Sequence, residues 1–311
     1  MKKYSVIFTI FYLLLSNAAF PQFENIYYGV PSEKEKINLV RDKARNKNLK
    51  VKSLTAEYEF LSGVNKGKKG ISEFTLFDDK GAPVYNETFE PGTETLIKKE
   101  TYIFDENCNL TEKRSIGYTN TIISSEYDIE KRLIKRKEFD SLKKSLKYFE
   151  YFYDSRNYPV VIYIYDAGKT LIDSMNYKNI YDDELPKEIH QKYDGGRIFI
   201  FRYNNKKLVR ELTIAASDRR YLAKYDYEYD GTGNISSIIE FDPEYRPAFK
   251  TEYKYNVYSK PTSIIKTDMS GNIMEKEILN YDLKGLIQSR DIFAQGGSEL
   301  IIRYVYKYEF F

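Results

Sequence analysis

An aromatic residue followed by Asp or Asn recurs along this chain at a nearly fixed interval. The pairs that end a strand and set this interval are Phe77-Asp78, Phe104-Asp105, Tyr127-Asp128, Tyr153-Asp154, Tyr181-Asp182, Tyr203-Asn204, Tyr229-Asp230, Tyr255-Asn256 and Tyr281-Asp282. Subtracting successive positions gives spacings of 27, 23, 26, 28, 22, 26, 26 and 26 residues. A period held across nine such pairs is the mark of a repeat array, in which one supersecondary unit stacks on the next.

Within each unit the residues alternate with period two. Tyr221, Ala223, Tyr225, Tyr227 and Tyr229 fall on one face of a strand, and Lys224, Asp226 and Glu228 on the other. Phe249, Thr251, Tyr253 and Tyr255 alternate with Lys250, Glu252 and Lys254, and Ile302, Tyr304, Tyr306, Tyr308 and Phe310 close the chain in the same way. This alternation predicts half-buried antiparallel strands, which Tyr, Phe, Ile and Val favour. A turn follows each aromatic-Asp pair, and return strands open on Val84, Leu110, Leu133, Val160, Leu208, Ile235, Pro261 and Leu286. Breakers at Pro91-Gly92, Asp194-Gly195-Gly196, Asp242-Pro243, Ser270-Gly271-Asn272 and Gly296-Gly297 supply a second turn per unit. Each unit thus reads as one β-hairpin, and the array as roughly twenty strands in up-and-down order. The Asp or Asn has a local role, because its side chain can accept hydrogen bonds from backbone N–H groups a few residues on.

The unit Tyr227-x-Tyr229-Asp230-x-x-Gly233-Asn234-Ile235, running on to Tyr253, resembles the YD repeat of RHS-type proteins. The match is fullest from Tyr225 to Tyr255 and looser where the Gly is missing, as in Asp154-Ser-Arg-Asn157 and Asn256-Val-Tyr-Ser259. The resemblance implies hairpins building a long sheet that wraps into a spiral shell. Large family members enclose a C-terminal toxin domain. Here Ile301 to Phe311 reads as a strand, so a toxin-delivery role is not expected.

Such a sheet should not be flat. Twenty strands at about 4.8 Å would make a ribbon of about 95 Å with a long exposed aromatic face. Native twist predicts a curled or spiral elongated sheet, with the 31 Tyr and 19 Phe mostly inside. The expected fold is therefore all-β, an antiparallel hairpin array with one short N-terminal helix. Ser32-Glu33-Lys34-Glu35 reads as a capping box, and Ile37, Val40 and Ala44 recur at helical spacing, placing that helix over Ser32–Asn46.

The N-terminus has the layout of a secretory signal: Lys2 and Lys3, an apolar run from Tyr4 to Leu15, then Ser16, Ala18 and Ala19. The expected division is 1–19 signal peptide, 20–50 lead-in with the helix, and 51–311 repeat domain. Loss of Lys2 and Lys3 from 49 basic against 46 acidic residues lowers the formal charge from +3 to +1. A nearly neutral mature chain gives no reason to expect nucleic acid as a partner.

One Cys and one His limit the chemistry further. Cys108 cannot form an intrachain disulfide, and with His190 alone it cannot complete a tetrahedral zinc site or a catalytic kit. His190 is expected on a solvent-facing strand position with Glu188 and Lys192, and Cys108 in a turn as a free thiol. Asp226-x-Glu228-x-Asp230-Gly231 resembles the front of a calcium loop, but Ser237 stands where the loop needs a bidentate Glu. The basic residues Lys131, Arg132, Lys135, Arg136, Lys137, Lys143, Lys144 and Lys147 are the one local charge excess, read as a solvated strand face. No catalytic, cofactor-binding or metal-ligating residue is therefore assigned, and no cofactor.

The reading that follows is an exported, non-catalytic binding or structural repeat protein of the cell envelope or extracellular space. Its partner is an unknown polymer or envelope protein: a glycan, a peptide or an envelope component. The alternative is an outer-membrane β-barrel, suggested by the signal, the hairpins and Phe311. Against that alternative, the strands carry aromatics on one face and Lys and Glu on the other, and the aromatics are not confined to girdles at the strand ends. The chain is accordingly expected not to be an integral membrane protein. A polysaccharide hydrolase is a third class without a supporting motif.

Overall fold

The computed structural model describes residues 33–117, 120–182, 185–193, 197–206 and 208–311. The expected signal peptide and the Ser32 cap lie outside these residues. Helix α1 (Glu33–Leu49) runs three residues beyond the expected Asn46 and leads directly into β1 (Val51–Phe60). Twenty antiparallel strands follow in up-and-down order, ending in β20 (Leu300–Phe310).

The first and last strands meet. β1 pairs on one side with β2 (Lys69–Phe77) and on the other with β20, placing Leu54 opposite Tyr308, Ala56 opposite Tyr306 and Tyr58 opposite Tyr304. The Phe311 amide then donates to the Lys50 carbonyl at 2.8 Å. The sheet is a closed barrel, and the expected curled or spiral open sheet is corrected. Closure disposes of both free edges and turns the aromatic face into a concave inner wall, which an open ribbon would leave in water. The exclusion of an integral membrane protein is corrected with it. A closed ring satisfies all its backbone groups internally and is the one sheet form able to cross a bilayer. Among the described residues no helix is long and apolar enough to cross a membrane.

Local chemistry explains why the ring is regular. In the turn after Tyr229, Asp230 Oδ1 accepts the Thr232 and Asn234 amides, both at 2.9 Å. The Gly233 amide donates to the Asp230 carbonyl, and the Asp230 amide to the Asn234 carbonyl. Asp78, Asp105, Asp128, Asp154, Asn204, Asn256 and Asp282 repeat this arrangement at the same end. The fourth residue of these turns has positive φ: +81° at Gly233 and Gly81, but also 64° at Cys108, 68° at Asn157 and 58° at Ser259. Units lacking the Gly thus keep the turn and bear the left-handed strain. Asp140, Asp242 and Asp268 build the same turn at the opposite end.

The aromatic before each Asp sits at a register shift, as at Glu228/Tyr229 and Phe152/Tyr153. At Tyr127, Tyr153 and Tyr229, and at Tyr308 of β20, the hydroxyl reaches back one hairpin to a backbone carbonyl. Tyr229 donates to Val209 at 2.7 Å, Tyr153 to Leu133 at 2.8 Å, and Tyr127 and Tyr308 to Leu110 and Ile287 at 3.1 Å. A bulge frees a ladder carbonyl, and a Tyr ring long enough to pack and still reach it satisfies the group.

Burial identifies the inner wall. Tyr227, Tyr253, Leu279, Tyr304 and Tyr306 are buried, while Glu228, Lys254, Asn280, Arg303 and Lys307 between or beside them are exposed. The outer wall carries cross-strand ion pairs: Arg303–Asp291 at 2.7 Å, Lys307–Glu57 at 2.6 Å, Lys137–Glu126 at 2.9 Å, and Arg202 between Glu188 and Glu211.

Helix α1 lies across one end of the ring. Asp42 pairs with Lys260, Lys43 Nζ donates to Cys108 Sγ at 3.3 Å, and the Asn46 amide nitrogen approaches the Gly81 carbonyl at 3.5 Å. Those partners lie in the turns after β16 (Pro247–Tyr255), β4 (Thr95–Phe104) and β2, so neighbouring helix residues touch well-separated parts of the rim.

Candidate binding surface on the inner wall

The inner wall is not uniform. One apolar cluster, with buried Leu133, Phe149, Tyr151, Ile162, Ile164 and Met175, spans β7 (Leu133–Asp140) to β10 (Leu171–Asp182). A second includes Phe199, Phe201, Leu212, Tyr227, Ile238 and Tyr253, and covers β11 (Leu185–Tyr193) to β16. A third joins Leu54, Ala56 and Tyr58 of β1 to Leu279, Ile302, Tyr304 and Tyr306. None of these buried members comes from β3 (Pro83–Glu90), β4 or β5 (Leu110–Gly117).

That stretch is polar. Register places Thr88 opposite Lys98, Asn86 opposite Glu100, Glu100 opposite Ser115 and Tyr102 opposite Lys113, all on the inner face. Glu100 is its hub, with a side chain only 4% exposed. One oxygen takes Lys98 at 2.8 Å and the Tyr102 hydroxyl at 2.6 Å; the other takes Lys113 at 2.7 Å and Ser115 at 3.0 Å. Next to it, Asn86 donates to Glu73 at 2.9 Å and to the Thr75 hydroxyl at 3.0 Å. A buried carboxylate is tolerated only when paired and hydrogen-bonded in this way. Further along the inner wall, Lys266 pairs with Glu240 at 2.8 Å and Arg290 with Glu277 at 2.9 Å.

The sequence-derived candidates are dispersed. His190 lies on the outer wall, bonded to Glu188, which also binds Arg202. Cys108 lies in the rim turn after β4, where Lys43 of α1 donates to its sulfur. Asp226 pairs with Lys224 at 3.0 Å, Glu228 accepts the Ser237 hydroxyl at 2.6 Å, and Asp230 serves its own turn. Among the described residues no group of three His, Cys, Asp or Glu side chains could hold a metal ion. The basic run divides between walls and ends. Arg132 binds Asp128 at 2.6 Å in a turn, Lys137 pairs with Glu126 outside, and Arg136 pairs with Glu138 and overlies the Phe149 ring inside.

At Asp230, Asp242 and Asp268 the turn holds the carboxyl below the usual aspartate range. Asp268 is lowered first by its hydrogen bond from Asn272, and Asp242 first by the Arg246 amide. At Asp230, burial raises the carboxyl, but bonds from Thr232 and Asn234 outweigh it and leave it lowered.

No family model matches the chain, and no curated protein matches it. Among solved structures it is similar to a porin-like protein from Bacteroides uniformis, with 9% identity and a TM-score of 0.36 over 83% of this chain and 98% of that one. A porin-like protein from Bacteroides vulgatus gives 13% identity and a TM-score of 0.29 over the same shares, 83% and 98%. The Tc holotoxin pore of Photorhabdus luminescens gives 12% identity and a TM-score of 0.29 over 78% of this chain. The chain spans only 16% of that toxin chain's length. At such scores neither function nor placement is transferred from these proteins. The YD-repeat resemblance stays with the residues that carry it.

Proposed function

We propose that the chain is an exported, non-catalytic β-barrel protein of the cell envelope. Closure of β1 onto β20 carries this reading, because an even-numbered up-and-down ring without edges is the form outer-membrane proteins use. It favours the outer-membrane barrel over a free repeat array. An inserted ring must keep Arg303–Asp291, Lys307–Glu57 and Arg202 with its two glutamates clear of the lipid band. An Arg or Lys at the bilayer midplane costs about 2–4 kcal/mol. Two features support the absence of catalysis: His190 is bonded to Glu188 on the outer wall while Cys108 meets Lys43 in a rim turn, and Glu100 is saturated by four donors.

Fractionation of producing cells tests the reading. A band that migrates differently before and after boiling, and stays in membranes through alkaline carbonate and high salt, supports insertion. Release by salt assigns the ring to the aqueous side of the envelope. An unprocessed chain in the cytoplasm overturns the envelope reading.

A further inference from the structure

The outer wall is not the same all the way round. Among the described residues, no strand from β11 to β19 (Ile287–Phe293) leaves a large apolar side chain exposed, and charges cross that arc, as in Arg202 with Glu188 and Glu211. On β8 (Ser145–Tyr153) and β9 (Pro159–Asp166) the outward rings pack on one another instead. Register sets Tyr148 opposite Tyr165, Glu150 opposite Tyr163 and Phe152 opposite Val161. Ring centroids lie 5.7 Å apart for Tyr148 and Tyr165, 6.4 Å for Tyr163 and Tyr165, and 5.6 Å for Phe152 and Tyr163. Phe152 is 45% exposed, and Leu171, opposite Tyr165, is 52% exposed. We propose that this sector, β7 to β9 with its turns, docks on an anionic lipid surface. The proposal rests on the envelope reading above and names the face that meets the membrane.

The charges around the rings select that partner. From Asp128 to Thr170 ten basic residues stand against seven acidic ones, so this sector holds the chain's whole formal excess of +3 and the remainder balances. Lys135 and Lys137 lie on the same outward face, opposite Glu150 and Tyr148. In the turn before β8, exposed Lys143 and Lys144 follow Leu142, itself 87% exposed, and exposed Lys169 stands in the turn after β9 at the same end. The acids are already engaged. Glu150, which lies among the rings, accepts the Tyr148 hydroxyl at 2.8 Å and the Tyr165 hydroxyl at 3.2 Å. Asp140 and Asp166 bind amides of their own turns, and Glu126 pairs with Lys137.

Tyrosine rings framed by lysines suit the headgroup layer of a membrane, where an amphipathic ring sits between oil and water and an ammonium meets phosphate. A protein partner would select against lysine, which interfaces deplete. A soluble polyanion would gain nothing from exposed Phe152 and Leu171. The ion-paired arc from β11 to β19 stays on the aqueous side.

The chain has no Trp, so a single indole can report on each arc. Phe152→Trp places it among the rings, and Ile265→Trp places it between Glu252 and Lys276 on the ion-paired arc. Each purified full-length variant is mixed with vesicles of phosphatidylglycerol and phosphatidylcholine carrying brominated acyl chains, and with phosphatidylcholine vesicles alone. On the anionic vesicles the emission of Phe152→Trp should shift to the blue and be quenched, and that of Ile265→Trp should not change. Lys143→Asn combined with Lys144→Gln should weaken binding to anionic vesicles by about tenfold or more. Both lysines are exposed turn residues, and Asn tolerates the φ of 63° at Lys143, so this variant should fold. Thermal melting checks every variant, and Leu171→Trp is the second probe if Phe152→Trp is unstable. Quenching of neither probe overturns the proposal, and so does equal binding to neutral vesicles. Equal quenching of both probes overturns it as well, because lipid then surrounds the ring. Dimers that shift the Phe152→Trp emission without vesicles give the face to a second copy and overturn it too. Cell fractionation reports separately on the envelope reading, so a membrane-bound chain without quenching refutes this inference alone.

Discussion

Asp42 of α1 and Lys260 of the turn after β16 form an ion pair of 2.6 Å across 218 residues of sequence, tying the helix to the rim of the ring. Their side chains are 30% and 17% exposed, so the contact is partly sheltered from solvent. Replacing Lys260 with Ala should change global stability by no more than about 1 kcal/mol. It should nevertheless loosen α1, free Lys43 from the Cys108 thiol and speed maleimide labelling of Cys108. An unchanged labelling rate would show that α1 is held by other contacts.

Gly81 and Gly233 share a φ of +81° but differ in surroundings. At Gly233 an added Cβ would meet only Leu208 Cδ1 at 3.8 Å, so Gly233→Ala should cost about 1 kcal/mol through backbone conformation alone. At Gly81 the Cβ would lie 2.3 Å from the Lys43 carbonyl oxygen and 2.5 Å from the Lys47 amide nitrogen. Gly81→Ala should therefore cost more and displace α1 as well. Urea denaturation gives the two costs, and equal values would refute the close approach.

The Tyr229 hydroxyl bonds the Val209 carbonyl at 2.7 Å. Tyr229→Phe keeps the ring and removes that donor, so it should destabilise the barrel by about 1–2 kcal/mol. Denaturant midpoints measure the loss. No loss would mean that water serves the bulge carbonyl equally well.

The lowered carboxyls of Asp242 and Asp268 make stability depend on acid in a definite direction. A carboxyl whose folded pKa lies below its unfolded value, near 3.8, stabilises the fold above that value. The contribution is lost as pH falls through the folded pKa. The melting temperature should drop on acidification below about pH 4. Asn256 and Asn204 occupy the equivalent position in other turns. The double replacement of Asp242 and Asp268 by Asn should accordingly flatten the acid limb at little cost near neutrality. A limb equally steep in the variant would place the acid sensitivity elsewhere.

The strands and their punctuation were legible because both are local. Alternation marks Tyr221–Tyr229 as a strand, and Asp230 ends it by bonding two amides within four residues. Closure was not legible, because it joins Val51–Phe60 to Leu300–Phe310, and nothing local names the partner of an end strand. The polar inner stretch was hidden for a different reason. In Thr95–Phe104 the inward positions mix Lys98 and Glu100 with Tyr102, while outward Ile103 is 54% exposed, so the polarity of the faces no longer reveals which is inside. The basic run from Lys131 to Lys147 looked continuous only in one dimension. A turn and two strands send its members to opposite walls.

The pairing of Val51 with Phe310 also sets an order of events for the folding chain. Hairpins can form as neighbours emerge, but the ring cannot shut until its last strand exists. Until then both flanks of the growing sheet offer unpaired backbone to any passing strand, and non-local closure of this kind is slow. A cell making this protein must shelter two open flanks for the whole of synthesis and release them in a single step.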